Sequence, residues 1–255
     1  VLEEGVHSGY ASGLGPSRFR ILRQLISRLE DETPGRVLPD YLDADSSDQR
    51  IRQSERMAEA LGDGIFEAYP FCDGVEPQAD NNLERILNRT WRPALSVTGA
   101  GGLPDLDSAG NVLRPYTSLK LSMRLPPTVD GEEATQNIKA TLEADPPHNA
   151  RVSFEADHAA SGWNAPDIAP WLDESLEKAS QASYGQSVMY MGEGGTIPFM
   201  AMLGEFFPRA QFMITGVLGP NSNAHGPNEF LHIPFVRKLN TCVAQVLADH
   251  YHRKS

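Results

Sequence analysis

Residues 116–127, YTSLKLSMRLPP, alternate without a break. Leu119, Leu121, Met123 and Leu125 fall on one side, and Lys120, Ser122 and Arg124 on the other. Successive side chains of a strand point to opposite faces, so this period of two predicts a strand with one face on a core and one toward water. The segments around it fit the same plan. RPALSVTGAGG reads as a strand running into a turn, and ARVSFEAD as a further strand. DGEEATQNIKATLEAD reads as a helix whose first turn is acidic, where the helix dipole favours negative charge. Upstream, the glycine-rich EEGVHSGYASGLGPS ends at Pro16 and Ser17, where RFRILRQLISRLED begins a helix with Phe19, Leu22, Leu25, Ile26 and Leu29 on one stripe. The order is roughly β-α-β-β-α-β, which predicts an α+β domain: a four-stranded antiparallel sheet with helices on one face.

Two stretches of this part are less regular. EDETPGRVLPDYLDADSSD is acidic and contains Pro and Gly, and reads as a solvated connection. Either Ser47 or Asp48 is placed to cap the following helix, QRIRQSERMAEALG. From about residue 156 the character changes. APDIAPWLDESLEKASQASYG reads as helix, QSVMYMGEGG as a strand ending in glycines, and TIPFMAMLGEFFP as helix. AQFMITGVLG is then a strand, and FVRKLNTCVAQVLADH a final helix. This alternation predicts an α/β domain, with strands covered by helices on both faces. Two core strands cannot complete such a domain alone. The reading is therefore α/β overall, with one domain over 1–155 and part of a second over 156–255.

Composition narrows the partners. The 255 residues carry 22 basic and 34 acidic side chains, a net charge of −12. That argues against nucleic acid or an anionic membrane as the main partner, since neither gains from counterion release. The only two cysteines, Cys72 and Cys242, lack CxxC spacing and support neither a disulfide framework nor a thiolate metal site, so a reducing, cytoplasmic setting is expected. No apolar run approaches the ~20 residues of a membrane span. The first residue is Val and no signal-like segment follows it, so the chain is expected to begin inside a longer gene product.

The chemistry-bearing residues lie in turns. GPNSNAHGPNEF sets His225 among turn formers on the loop that leaves a predicted strand, where α/β enzymes place reactive side chains. MGEGGTIPF places Glu193, Gly194, Gly195 and Thr196 at a strand-to-helix turn, where backbone N–H groups can approach an anion and Thr196 can cap the helix. MGEGGTIPF and GVLGPNSNAHGPNE, together with VHSGYASG, WRPALSVTGAGG, NVLRPYTSLKLSMRLPP and HAASGW in this order, resemble the di-zinc exopeptidases of metallopeptidase family 20. That family includes carnosinases, glutamate carboxypeptidase and succinyl-diaminopimelate desuccinylase, and the carnosinase-like dipeptidases look closest. Singly these motifs are weak; in order they are specific.

In that family the lid, or dimerisation, domain interrupts the catalytic domain. The resemblance implies that 1–155 is the lid and 156–255 the second catalytic half. The first half's His-x-Asp-x-Pro segment, bridging aspartate, Glu-Glu pair and further ligand are not in this sequence. LEEG, residues 2–5, abuts VHSG directly and is not that pair.

By resemblance His225 is a zinc ligand, with Glu229 a surface residue or a partner of the ligand. Glu193, Gly194, Gly195 and Thr196 hold the substrate near its carboxylate end. Arg124, by pattern an ordinary exposed arginine, is implied to clamp the substrate's C-terminal carboxylate as a bidentate fork. His158 matches a cleft histidine, and Asn111 stands where carnosinases carry a threonine that bonds substrate. His7 matches the lid histidine that crosses the dimer to stabilise the developing oxyanion. His148, His232, His250 and His252 gain nothing from the match, and DHYH reads as a frayed terminus.

The implied activity is metal-assisted hydrolysis of a short peptide or N-acyl amino acid with a free C-terminus. It would use two zinc ions per complete site, or manganese or cobalt in their place, and a homodimer joined through the lid. The chain alone is expected to be inactive and to retain little or no zinc. The alternative is a non-catalytic dimerisation or regulatory fragment.

Overall fold

A computed structural model of the chain describes residues 1–193 and 198–253. In chain order the elements are β1 (Val6–His7), α1 (Ser8–Ala11), α2 (Arg18–Ile26), β2 (Glu30–Asp31), β3 (Arg36–Val37), α3 (Asp48–Leu61), α4 (Gly64–Glu67), α5 (Asn82–Thr90), β4 (Ala94–Gly101), β5 (Val112–Leu113), β6 (Ser118–Arg124), α6 (Gly131–Glu143), α7 (Pro170–Tyr184), α8 (Pro198–Phe206) and α9 (Ile233–His252). They group into two compact units that interleave along the sequence. One holds Val1–Ser46, Glu76–Trp163 and Gly192–Pro198; the other holds Ser47–Val75, Asn164–Met191 and Phe199–Ser255.

The first unit is built on β4 and β6, which pair antiparallel from Ala94 opposite Arg124 to Gly101 opposite Ser118, with a bulge between Val97 and Gly99. Leu121, Met123 and Leu125 face the core as the alternation predicts, joined by Leu95 from β4. Two helices cover that face. Each places a stripe at i, i+4, i+8 on it: Ile21, Leu25 and Leu29 along the α2 segment, and Ala134, Ile138 and Leu142 of α6. Burying each large aliphatic side chain contributes about 1.5–3 kcal/mol. The stripe on α2 is thus turned from the expected one, and Phe19 is exposed.

Three further expectations are corrected. The sheet has two long strands, not four, among the described residues, with β1–β5 and β2–β3 as separate short pairs. Residues 151–157 carry no ladder; the Phe154 amide donates instead to the Glu143 carboxylate at 2.7 Å, so that donor is occupied. Val152 and Phe154 still pack against the core. The acidic stretch 30–48 is also not solvated throughout. It folds into the β2–β3 hairpin, and Val37 and Leu42 reach the core, Leu42 fully buried.

The second unit rests on α7 against α9. Leu172, Leu176 and Val246 form its centre, with Trp171, Val188, Tyr190 and Met213 packed around it. Helix ends follow local chemistry. The Ser47 hydroxyl accepts from the Arg50 amide at the start of α3, and Pro170 opens α7. Gly185 ends α7 in the left-handed region, φ 69°, where a side chain would be strained. His232 caps α9, its Nδ1 accepting from the Phe235 amide at 3.2 Å.

The predicted strands at 186–195 and 210–219 have no ladder among the described residues, apart from a single Leu218–Leu231 bridge. Periodicity reports side-chain preference, whereas a strand also needs a neighbour to bond. The expected frayed end is helix through His252, where the His250 ring meets Trp171 edge to face at 5.2 Å and the Arg253 guanidinium lies over the same ring at 4.7 Å. Cys72 is exposed and Cys242 buried, both free. No helix of the described residues is long and apolar enough to cross a membrane.

Candidate functional site

The first cluster sits where β1 meets β5. His7 lies opposite Val112, and the Ser8 amide donates to the Asn111 carbonyl at 2.8 Å, so the pairing sets His7 and Asn111 side by side. Both are exposed. His7 caps the short helix α1: its Nδ1 accepts from the Gly9 amide at 3.1 Å. In a neutral imidazole one nitrogen carries the proton and the other accepts, so an accepting Nδ1 leaves the proton on Nε2. The cap therefore turns the outer edge of His7 into a hydrogen-bond donor. Tyr10 leans on the ring at 5.3 Å.

The second cluster is the polar face of β6 and the HAASGW loop. Arg124 ends β6 exposed, on the side that also carries Lys120. The Lys120 ammonium donates to the Asp157 carboxylate at 2.6 Å, placing His158 beside that face. This hydrogen bond and the lysine charge hold Asp157 below the ordinary carboxylate range. The other end of the loop is fastened to the start of α6. The Ser161 hydroxyl donates to the Asp130 carboxylate at 3.1 Å and accepts from the Gly131 amide at 2.9 Å. Asp130 is itself the cap of α6, and the Glu133 amide, then the Ser161 hydroxyl, hold its carboxyl below the usual range. A Cβ at Gly131 would meet the Ala160 backbone at 2.8 Å, and one at Gly162 would meet Pro127 Cα at 2.6 Å. The glycines permit this close seat. Asp130 and Ser161 escaped the sequence reading; the Asp-x-x-Glu start of α6 was the available signal for the first.

Glu193 faces the Arg89 guanidinium across 3.7 Å, and a Cβ at Gly192 would meet Thr90 at 3.0 Å, so this turn begins against the end of α5. Gly194, Gly195 and Thr196 lie outside the described residues.

His225 is in the second unit, on a loop closed at its base by the Leu218–Leu231 bridge and the His232 amide donating to the Val217 carbonyl at 2.9 Å. Ser222 tightens it, accepting from the Phe230 amide at 3.0 Å. His225 has φ 62°, a left-handed conformation rare for a residue with a side chain. The Glu229 carboxylate holds it there, accepting from the His225 amide at 2.8 Å. The result is an exposed imidazole on a braced, strained turn.

Among the described residues no group of three or more His, Cys, Asp or Glu side chains converges as a metal would require. Zinc takes three or four protein ligands. His225 with Glu229, the latter bonded to backbone, does not fit a complete site.

Residues 1–150 match the peptidase dimerisation domain of the M20 family. The chain belongs to that family. It is 27% identical over 234 residues to the cysteinylglycine-S-conjugate dipeptidase of Corynebacterium striatum, covering 90% of this chain and 48% of the relative. The di-peptidase Dug1p of Saccharomyces cerevisiae shares the fold at TM-score 0.69 and 20% identity, over 99% of this chain and 53% of its own. Human carnosine dipeptidase 1 shares it at TM-score 0.61 and 17% identity, over 98% and 52%. The metallo-carboxypeptidase Sso-CP2 of Sulfolobus solfataricus does so at 0.66 and 18%, over 96% and 55%. The chain thus spans about half the length of the relatives it matches.

Proposed function

We propose that this chain supplies the dimerisation lid, residues 1–155, and the second catalytic half, residues 156–255, of a zinc-dependent dipeptidase or carboxypeptidase-like enzyme. The substrate is a short peptide or N-acyl amino acid with a free C-terminal carboxylate. The observation that carries the reading is His7, whose outer nitrogen is set as a donor by its own cap. A donor of fixed tautomer on an exposed lid edge suits an oxyanion that forms only in the transition state. Asn111 beside it bonds the substrate, and Arg124 and His158 form the carboxylate end of the cleft. Glu193, Gly194, Gly195 and Thr196 complete the substrate contacts. His225 contributes one metal ligand, and the remaining ligands come from polypeptide outside this chain. A metal pair held at the completed site would supply an activated water and polarise the scissile carbonyl.

The chain alone is inactive on this reading, and the lid joins two subunits in the cytoplasm. In the active assembly, Arg124→Lys lowers kcat/KM for free-carboxylate substrates, because a point charge replaces a fork. Amidating the substrate's C-terminus erases the difference between the two enzymes. Equal cleavage of free and amidated substrates by the unaltered enzyme would remove Arg124 from the clamp.

A further inference from the structure

Exposure alternates from Val112 to Lys120, so the chain stays extended past β5 and keeps one outer face, with Val112, Arg114 and Tyr116 on it. Residues directly opposite in an antiparallel pair share a face, and His7 lies opposite Val112. His7, Val112 and Arg114 therefore form one exposed row. Two residues of strand, about 6.7 Å, separate Val112 from Arg114. Gly5, one step before β1, puts no side chain over that end of the row.

Arg18 joins the row from the start of α2. Its Nε donates to the Tyr116 carbonyl at 2.9 Å, two residues beyond Arg114, and its terminal nitrogens take no bond among the described residues. Elsewhere in the same unit Arg92 faces Glu84, Lys120 faces Asp157 and Lys139 faces Glu143. Neither Arg18 nor Arg114 pairs with a carboxylate among the described residues, although the chain carries 34 acidic side chains. Partial burial, and then the nearby Arg114 charge, lower the Arg18 pKa from its ordinary value. Two guanidinium groups set together repel, and an oxyanion between them relieves both while accepting their paired N–H donors. In a chain of net charge −12 an anion gains nothing from the overall field, so it must be held by a local pair of this kind.

We infer that Arg18 and Arg114 form a second anion site, beside His7, for the side-chain carboxylate of an aspartyl or glutamyl residue in a short peptide. The row presents a hydrogen-bond donor at His7, an apolar contact at Val112 and a paired positive charge beyond it. Carbonyl, methylene and carboxylate follow in that order along an acidic peptide. Arg124, the proposed clamp for the C-terminal carboxylate, is at the far end of β6 and serves a different group. The anion site rests on the geometry of the first unit; giving it to a substrate rests on the proposed peptidase function.

The test titrates the 255-residue chain with Ala-Glu and Ala-Gln, both carrying a C-terminal amide so that only the side-chain charge differs, and follows the arginine Nε–H signals by NMR. Ala-Glu amide moves the Arg18 and Arg114 signals saturably and binds at least about tenfold tighter than Ala-Gln amide. Arg114→Gln, which costs no side-chain hydrogen bond among the described residues, removes that preference, and Arg18→Gln does the same. Arg20→Gln and Arg23→Gln, exposed on the same helix, keep it. Equal affinity for the two peptides overturns the inference, as does a loss shared by Arg20→Gln. Inorganic phosphate that moves the pair while Ala-Glu amide does not overturns it too, leaving a site for free anions. In the active assembly Arg114→Gln lowers the ratio of kcat/KM for free Ala-Glu over free Ala-Gln by about tenfold, and an unchanged ratio overturns the substrate assignment. Binding by the isolated chain beside an assembly that cleaves no peptide upholds the site and counts against the peptidase reading.

Discussion

A histidine exposed on a turn has a catalytic meaning only once its proton is placed. Sequence could place His7 in a lid motif but not choose its tautomer, because that choice depends on the Gly9 amide bending back to Nδ1. The prediction is direct: side-chain nitrogen NMR of the neutral ring shows His7 with an unprotonated Nδ1 and a protonated Nε2. The reverse tautomer would remove the donor from the lid edge. Asp130 gives a second test. Its folded carboxyl titrates below the unfolded one, so its stabilisation is present above the unfolded value near pH 4 and is lost as pH falls through the folded value. Asp130→Asn keeps a good cap but removes the charge. The variant is therefore less stable than the unaltered chain at pH 7, and the gap in urea midpoint closes on acidification. A gap that widens toward low pH contradicts the assignment. His225 is intermediate in legibility: its turn was plain from Gly, Pro and Asn, while its left-handed backbone and the Glu229 brace required coordinates.

Elements were legible where local chemistry decides them. The alternation of β6, the caps Ser17 and Ser47, and Gly185 at the end of α7 each act within a few residues. What failed were features set by distant chain. The α2 stripe is turned because Ile21, Leu25 and Leu29 are the positions that meet α6 and the sheet. Residues 151–157 are no strand because Glu143 takes an amide that a ladder would use. Helix α5 lies outside the elements read from the sequence, although Asn81 caps it, accepting from the Glu84 amide at 2.9 Å. The core assignment predicts that Leu29→Ala costs about 2–5 kcal/mol, as a fully buried leucine in a packed cluster should. Ser47→Ala, which removes only a cap, costs about 1 kcal/mol. Chemical denaturation of the two variants checks the order; an equal or inverted cost would mean Leu29 is not in the core.

For the molecule as a whole, two units of unequal completeness share one chain. The first closes around its own core, and its match to the dimerisation domain covers residues 1–150. The second exposes faces whose composition is that of an interior. The sequence predicts only two strands for a doubly wound sheet there, too few to complete one. The proposed metal role of His225 is tested on the same ground: His225 is braced and exposed, and among the described residues no group of three or more His, Cys, Asp or Glu side chains could hold a metal ion. The most direct measurement is zinc retained by the 255-residue chain after dialysis, by elemental analysis, with His225→Ala alongside. One ligand cannot hold a zinc that needs three or four, so the account predicts well under one equivalent for both proteins. Two equivalents held by the unaltered chain and lost in His225→Ala would show a complete binuclear site and contradict it.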